Sequence, residues 1–302
     1  MPDYSEVCVL IPTLDEAETI GDVVDDFRAE GFESILVVDG RSSDDTREIA
    51  REHGADVITQ SGSGKGQAVR EGVAHVDEPY VLMLDGDGTY READAPAMLK
   101  PLIDGDAEHV IGDRFADMEA GAMSTLNGLG NSVINRAFAF IHGYDYRDIL
   151  SGYRAFSVES FERMHLSADG FAIETEMAVK CAKHDIETRV VDITYLARPD
   201  ASDTNLRPFR DGARIIFALY KLAKTNNPLF YFGSVGVVST LAGAVTAIYV
   251  AVEWFTAGVS HNIMALFSAF TVLLGIQLLM FGVLSDLLVT LHREQLRRLE
   301  DD

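Results

Sequence analysis

Cysteine is nearly absent. Cys8 and Cys181 are the two in 302 residues, far apart and each in apolar or helical surroundings. A disulfide framework and a zinc-type spacing are thereby excluded, and a reducing cytoplasm fits. Basic residues are scarce too, 25 Lys and Arg against 48 Asp and Glu, for a formal net charge of −23. Residues 229–302 hold −3 of it, leaving −20 on the rest. A nucleic-acid binder carries a basic footprint, so that class is excluded, and acidic partners are disfavoured outside local basic clusters. Such a surface is strongly solvated and suits a salt-rich cell, where screening weakens self-repulsion. The histidines show no metal spacing, and neither a nucleophile elbow nor a Cys/His pairing occurs, so covalent catalysis has no support. Two phosphate-binding signatures also fail. Ser61-Gly62-Ser63-Gly64-Lys65-Gly66 imitates a phosphate loop, but residue 59 is Thr and Gly66 stands where Ser or Thr is required. No GxGxxG follows the first strand, which disfavours kinase-like hydrolases and dehydrogenases. Lys65 still opens a helix, where an anion is favoured.

Long apolar runs are present. Residues 229–252 contain no charge for 24 positions and residues 263–285 none for 23. Each run exceeds the ~20 residues that a helix needs to cross a bilayer. Two transmembrane helices are expected, a buried core hairpin being the weaker alternative. Lys221 and Lys224 precede the first run, Arg293, Arg297 and Arg298 follow the second, and the link between them has no Lys or Arg. The positive-inside tendency puts both ends in the cytoplasm, with Trp254 and Phe255 at the opposite interface. No signal peptide is expected, because the first residues lead directly into a strand-like segment.

Before these runs, strand and helix patterns alternate. Strands are expected at 6–11, 34–38, 56–59 and 80–84, and helices at 16–30, 43–53 (capped by Ser43 or Asp44) and 65–75. This alternation predicts an α/β fold with a mostly parallel sheet and helices on both faces, and ligands at the carboxyl ends of the strands. Asp39 and Asp85 fall there. Later strands are expected near 110–111, 153–157 and 189–193, with helices at 124–141 and 170–184. Residues 207–224 are amphipathic, with Ile215, Ile216, Leu219 and Leu222 on one side and cations elsewhere. That pattern fits either a membrane-surface helix or one packed on the preceding domain.

Asp85-Gly86-Asp87-Gly88-Thr89 directly follows an apolar strand. Two carboxylates one residue apart at a strand end can share a hard divalent cation, which also takes phosphate oxygens. The alternative is a plain Asp-Gly turn. Asp39 ends its strand and can accept hydrogen bonds from a ribose or base. Arg114, Arg154, Arg198, Arg207 and Arg210 are loop-region arginines in an acidic chain, an arrangement suited to anion handling, although a surface ion pair is the commoner fate of any one of them.

The order Ile11-Pro12-Thr13-Leu14-Asp15-Glu16, Val37-Val38-Asp39-Gly40, Gly64-Lys65-Gly66 and Leu84-Asp85-Gly86-Asp87 resembles family-two inverting glycosyltransferases of the GT-A fold. Gly112-Asp113-Arg114, Asp148-Ile149-Leu150-Ser151-Gly152-Tyr153-Arg154, Arg198-Pro199 and Arg210-Asp211-Gly212 narrow the likeness to polyprenyl- and dolichyl-phosphate sugar synthases. It covers residues 6–215. The motif wording and the acidity look most like halophilic archaeal dolichyl-phosphate hexose synthases of N-glycosylation for surface-layer glycoproteins. The resemblance implies a nucleotide-sugar site at Pro12, Asp15, Glu16, Asp39, Lys65 and Asp85. It implies Mg2+ or Mn2+ held by Asp85, Asp87 and Thr89, and an acceptor phosphate met by Arg114, Ser151, Arg154 and Arg207. Arg198 belongs to a loop over the diphosphate, and Asp87, Arg114, Arg154 and Arg198 form the catalytic set. Related sequences often have a Lys at the position of Asn205, and Arg207 is expected to replace it.

The implied division is a cytoplasmic catalytic domain at 1–206, an amphipathic helix at 207–228, the two spans within 229–290 and a tail at 291–302. The implied reaction is hexose transfer, with UDP-glucose as preferred donor and GDP-mannose as alternative, to dolichyl phosphate in the membrane. A phosphate monoester is largely ionised at neutral pH, its second pKa being about 6, so no strong base is needed. A same-fold transferase acting on a hydroxyl would need a carboxylate base, for which Asp148 or Glu174 is available. A catalytically inert membrane scaffold is disfavoured by the intact Asp85, Asp87 and Arg154.

Overall fold

The computed structural model describes residues 4–170, 172–198, 217, 220, 223–224 and 227–300, with side chains as far as Leu291. The chain divides into two units, Met1–Leu219 and Tyr220–Asp302.

The first unit is built on β1 (Val7–Thr13), α1 (Ile20–Glu30), β2 (Ser34–Asp39), α2 (Thr46–Glu52), β3 (Asp56–Thr59), α3 (Lys65–Val73) and β4 (Tyr80–Met83). After β4 come α4 (Ala95–Ile103), β5 (His109–Met118), α5 (Thr125–His142), β6 (Arg154–Ser157), α6 (Val158–Met164), α7 (Ile173–Lys183) and β7 (Thr188–Tyr195). The strands form one sheet in the order β3-β2-β1-β4-β6-β5-β7. All pairs are parallel except those of β6, which runs against both β4 and β5. β1 is buried along its whole length, as a central parallel strand covered on both faces must be. It continues through Pro12 to Thr13, two residues beyond the expected end. The core joins β1, β2 and β4 to α1 and α4 through Val9, Ile11, Val24, Phe27, Val37, Leu82, Met98 and Leu99.

Two helices start later than their patterns by three or four residues. α1 begins at Ile20 rather than 16, because residues 14–19 form the turn that leaves β1, with Asp15 at φ +56°. α2 begins at Thr46. Neither Ser43 nor Asp44 is its cap residue, although Asp44 accepts from the backbone N–H of Thr46 at 3.1 Å and of Ala17 at 3.1 Å. β5 is much longer than the two residues expected, and pairs with β7 as far as Met118.

In the second unit, α8 (Pro228–Ala257) and α9 (Asn262–Glu300) are antiparallel neighbours. The Asn227 side chain caps α8 by accepting from Phe230 N–H at 3.0 Å, and Pro228 takes the first-turn position, where its missing N–H costs nothing. Glycines let the two backbones touch. A Cβ on Gly236 would lie 2.7 Å from the Gly275 carbonyl, and one on Gly243 2.9 Å from that of Ser268. Both helices are long and apolar enough to cross a membrane. Only 11% of the most apolar stretch of each is buried, unlike the core helix of a water-soluble domain. α9 continues without a break well past the expected end of the second run at 285.

Candidate active site

Parallel pairing puts the ends of β2, β1 and β4 side by side, with Thr13 opposite Asp39 and Leu10 opposite Met83. The loops leaving these strands meet at one edge of the sheet, and the β4 loop carries Asp85 and Asp87 between them. Gly86 separates the two acids for a steric reason: a Cβ there would lie 2.7 Å from the Thr13 methyl. The Thr19 hydroxyl donates to the Gly86 carbonyl at 2.7 Å and pins the loop. Thr89 donates to Asp87 Oδ1 through its N–H at 3.2 Å and its hydroxyl at 2.6 Å. Thr89 therefore orients Asp87, where the sequence suggested a further metal ligand.

Each acid carries a cation. Lys65 pairs with Asp85 and, at 2.6 Å, with Glu174 of α7. Arg198, three residues past β7, pairs with Asp87 and reaches Glu16 at 3.6 Å. Burial raises the Glu16 carboxyl to about 7, against the lowering effect of Arg198 and with help from Asp87 and Asp85. Burial also raises Asp85, opposed by Lys65. Burial alone would lower Lys65, but its two carboxylate partners outweigh that and hold it above the usual lysine range. The glycines beside Lys65 are explained by packing. A Cβ on Gly64 or Gly66 would collide with the backbone at Asp169 or Ala168, and Gly64 has φ +93°. The 64–66 loop thus locks Lys65 under the β4 loop.

A second network stands beside the first. The Arg114 guanidinium grips Asp148 in two bonds, Nε to Oδ2 at 2.7 Å and Nη2 to Oδ1 at 2.9 Å, and lies 5.4 Å from the Tyr195 ring centre. Ser151 and Arg154 were expected to face an acceptor phosphate, and the structure places their side chains inside the protein. Both are fully buried. Arg154 donates Nε to the Ser151 carbonyl at 3.0 Å, Nη2 to the Ile149 carbonyl at 2.7 Å and Nη1 to His109 Nε2 at 3.0 Å. Ser151 accepts from the Tyr153 N–H at 3.3 Å. These side chains hold the 148–153 loop from below, and Arg114 is the member nearest the surface. Arg207, with Asn205 and the rest of 199–216, lies outside the described residues.

The residues expected to line a nucleotide site are held tightly by the protein itself. Asp39 is fully buried, and its carboxylate accepts from the N–H groups of Arg41 and Ser42. Asp15 accepts from the Ser43 N–H at 2.7 Å, and Pro12 is buried within β1. Asp15 stitches the β1 and β2 loops together, Asp39 closes the β2 loop on itself, and Glu16 is turned toward Arg198.

Some participants were not evident from sequence. Glu174 was legible only as a spare base, yet it is 4% exposed and is the second anchor of Lys65. Gly152 passes so close to the Asp85–Lys65 pair that a Cβ would strike both ends, and its N–H donates to Tyr90 Oη at 2.9 Å. The available signal was two acids, Glu174 and Glu176, in an otherwise apolar helical stretch. Among the described residues no three His, Cys, Asp or Glu side chains form a metal-binding group.

The model for Glycosyl transferase family 2 matches residues 8–164, which span β1 to α6. The chain belongs to glycosyl transferase family 2. It is 63% identical to Glycosyltransferase AglJ of Haloferax volcanii, over 100% of this chain and 99% of that one. It is 33% identical to a dolichyl-phosphate hexose transferase of the same organism, over 72% of this chain and 94% of the other. Among solved structures it resembles glucosyl-3-phosphoglycerate synthase from Mycobacterium tuberculosis, crystallised with Mn2+ and uridine-diphosphate-glucose. The TM-score is 0.58 at 21% identity, over 72% of this chain and 78% of that one. The GT-A fold expected from the sequence is therefore the fold of this family 2 enzyme.

Proposed function

We propose that this family 2 glycosyltransferase moves a hexose, with inversion, from a nucleotide-sugar to dolichyl phosphate at a membrane, as the first step of N-linked glycan assembly on surface-layer glycoproteins. UDP-glucose is the preferred donor and GDP-mannose the alternative. The carrying observation is the Asp85–Asp87 pair, set by Gly86 at the end of a central strand with Lys65 and Arg198 docked on it. Two relatives support these substrates, one a dolichyl-phosphate hexose transferase and one a structure holding UDP-glucose.

The donor set fits a divalent metal. Two hard carboxylates stand at one loop where positive charge is already drawn, and diphosphate oxygens can complete the shell. Asp85 and Asp87 would hold Mg2+ or Mn2+, which offsets charge on the departing nucleoside diphosphate. Arg198 is the guanidinium placed to pair with the same diphosphate. Lys65 holds Asp85 in place from below, anchored by Glu174. Pro12, Asp15, Glu16 and Asp39 shape the nucleotide end, and Arg114 is the cation offered to the acceptor phosphate.

A phosphate acceptor is favoured over a hydroxyl by what the two candidate bases do. Asp148 is committed to Arg114 and Glu174 to Lys65, so neither stands as a carboxylate awaiting a proton. The two apolar helices would hold the catalytic unit beside its lipid, on the cytoplasmic side by the charge of their flanks.

The test is incubation of the full chain with labelled UDP-glucose or GDP-mannose and dolichyl phosphate in vesicles. Label should enter a chloroform-soluble product cleaved by mild acid. It should vanish with a chelator or in Asp85→Asn with Asp87→Asn. Label in an acid-stable glycoside would move the assignment to a hydroxyl acceptor.

A further inference from the structure

Between the two charge networks stands a side chain to which the reaction above gives no task. Tyr90 directly follows Asp85-Gly86-Asp87-Gly88-Thr89 and is 5% exposed. Its backbone is held by β7: Tyr90 pairs with Tyr195 in an antiparallel bridge, and the Thr89 carbonyl accepts from the Leu196 N–H at 2.9 Å. Its ring is packed between Tyr153, at 5.1 Å between ring centres, and Tyr195, at 5.5 Å. A tyrosine held in this way is a rigid arm with one polar atom at its tip.

That tip meets the other half of the site. Tyr90 Oη accepts from the Gly152 N–H at 2.9 Å. Gly152 belongs to the 148–153 loop, in which Asp148 aims Arg114. Gly152 also lies against the Asp85–Lys65 pair, where a Cβ would meet Asp85 Oδ2 and stand 3.1 Å from Lys65 Nζ. Tyr195, the ring beside Tyr90, is the one 5.4 Å from the Arg114 guanidinium. Burial pushes the Tyr90 hydroxyl well above the usual tyrosine range, and the charges of Arg114, Asp85 and Lys65 all reach it. One hydroxyl thus stands between the acids of the β4 loop and the arginine of β5, groups that come from distant parts of the sequence.

We propose that Tyr90 is a positioning residue for the transfer step: through Gly152 its hydroxyl holds the 148–153 loop, and with it Arg114, in register with the Asp85–Asp87 loop. The inference rests on the reading above, a nucleotide-sugar on Asp85 and Asp87 and an anionic acceptor on Arg114. In-line displacement needs the two in register, and an error of about 1 Å costs on the order of a hundredfold in rate. In this role Tyr90 touches neither substrate. Each half keeps its own support without the hydroxyl, because Thr89 orients Asp87, Lys65 holds Asp85 and Asp148 aims Arg114. Loss of the hydroxyl therefore disturbs the register between the halves and leaves binding to each intact.

The test is the steady-state kinetics of full-length Tyr90→Phe in vesicles, with dolichyl phosphate and whichever labelled donor, UDP-glucose or GDP-mannose, the wild type uses. The variant keeps the ring and removes Oη alone. kcat should fall by about tenfold or more, while KM for each substrate stays within about twofold. Equilibrium dialysis should give wild-type affinity for the matching nucleoside diphosphate with Mn2+. Tyr153→Phe is the control. Tyr153 is buried in the same ring cluster, but its hydroxyl donates to the Arg91 carbonyl at 3.2 Å, and the acids that reach it are led by Asp94 and Glu92. That variant should lose a comparable amount of stability and keep kcat within about twofold. Equal kcat losses in the two variants, or none in Tyr90→Phe, overturn the inference. So does a raised donor KM at unchanged kcat, which would make Tyr90 a donor-binding residue. If the wild type makes no acid-labile glycolipid from either donor, the underlying reading falls and the inference with it. Should Tyr90→Phe not fold, 3-fluorotyrosine placed at residue 90 keeps the hydroxyl as a weaker acceptor. A lower kcat at unchanged KM then supports the role, and an unchanged kcat overturns it.

Discussion

Replacing Asp148 with Asn should destabilise the catalytic unit by an amount set by its burial. Asp148 is fully buried and the Arg114 side chain is 10% exposed, and the two are joined at 2.7 and 2.9 Å. Removing one partner strands a buried charge, which costs roughly 3–5 kcal/mol. Asn keeps one acceptor oxygen, so the lower end applies, about 3 kcal/mol. For a unit of this size each kcal/mol moves the melting midpoint by about 2–4 °C, so a fall of roughly 6–12 °C is expected. The single tryptophan, Trp254, lies in α8 and does not report this unit. Cys8 and Cys181 are both buried in it, and a thiol-reactive fluorophore therefore reads its melting. Arg114→Met should cost a similar amount. Arg114→Met combined with Asp148→Leu should recover most of the loss, because no charge is left unpaired. The coupling should exceed about 2 kcal/mol, within the range for directly contacting residues. A double variant as unstable as the sum of the singles, or a shift below 2 °C for Asp148→Asn, would show that the pair is solvated and does not anchor Arg114.

Other consequences follow from single contacts. Glu16 titrates near 7 in the folded chain, above its unfolded value, so the native state holds a proton that the unfolded chain has released. Its contribution is full below about pH 4.5 and is lost as pH rises toward 7. Glu16→Gln should flatten the fall in melting midpoint between pH 5 and about 7 without abolishing it, because desolvation raises Asp85 as well and it contributes with the same sign. An unchanged slope would place Glu16 in solvent. Gly152→Ala should leave the melting midpoint within a few degrees, because the added Cβ strikes only the ends of Asp85 and Lys65. It should cut kcat/KM for the donor by about tenfold or more, the scale of a misplaced polar contact. Normal turnover would show that the Asp85–Lys65 geometry is dispensable. In the second unit, Gly275→Leu would place side-chain atoms against Thr240 and the Gly236 carbonyl. The hairpin should open, seen as loss of a cross-link between cysteines placed on α8 and α9, and a retained cross-link would count against backbone contact at that point.

Fold class, the two apolar helices and the loop with the acid pair were legible in the sequence alone. Each is a local signal: periodicity for the strands, uninterrupted apolar length for α8 and α9, and Asp-Gly-Asp directly after a strand. Parallel pairing even foretold that Asp39 and Asp85 would meet at one sheet edge. The starts of α1 and α2 shifted by four and three residues, because the turns leaving β1 and β2 bond to each other through Asp15, Ser43 and Asp44, contacts that no local pattern carries. The roles of charged side chains were decided only by tertiary structure. Arg154 and Arg114 look alike as loop-region arginines. The antiparallel insertion of β6 between β4 and β5 drives the first into the interior beside His109, and Asp148 holds the second at the rim. Glu174 became the partner of Lys65 because α7 brings it there from more than a hundred residues away in sequence. A charge in a protein is defined by what lies within a few ångströms of it, and that depends on the whole chain, whereas a strand or an apolar helix is written in its own residues.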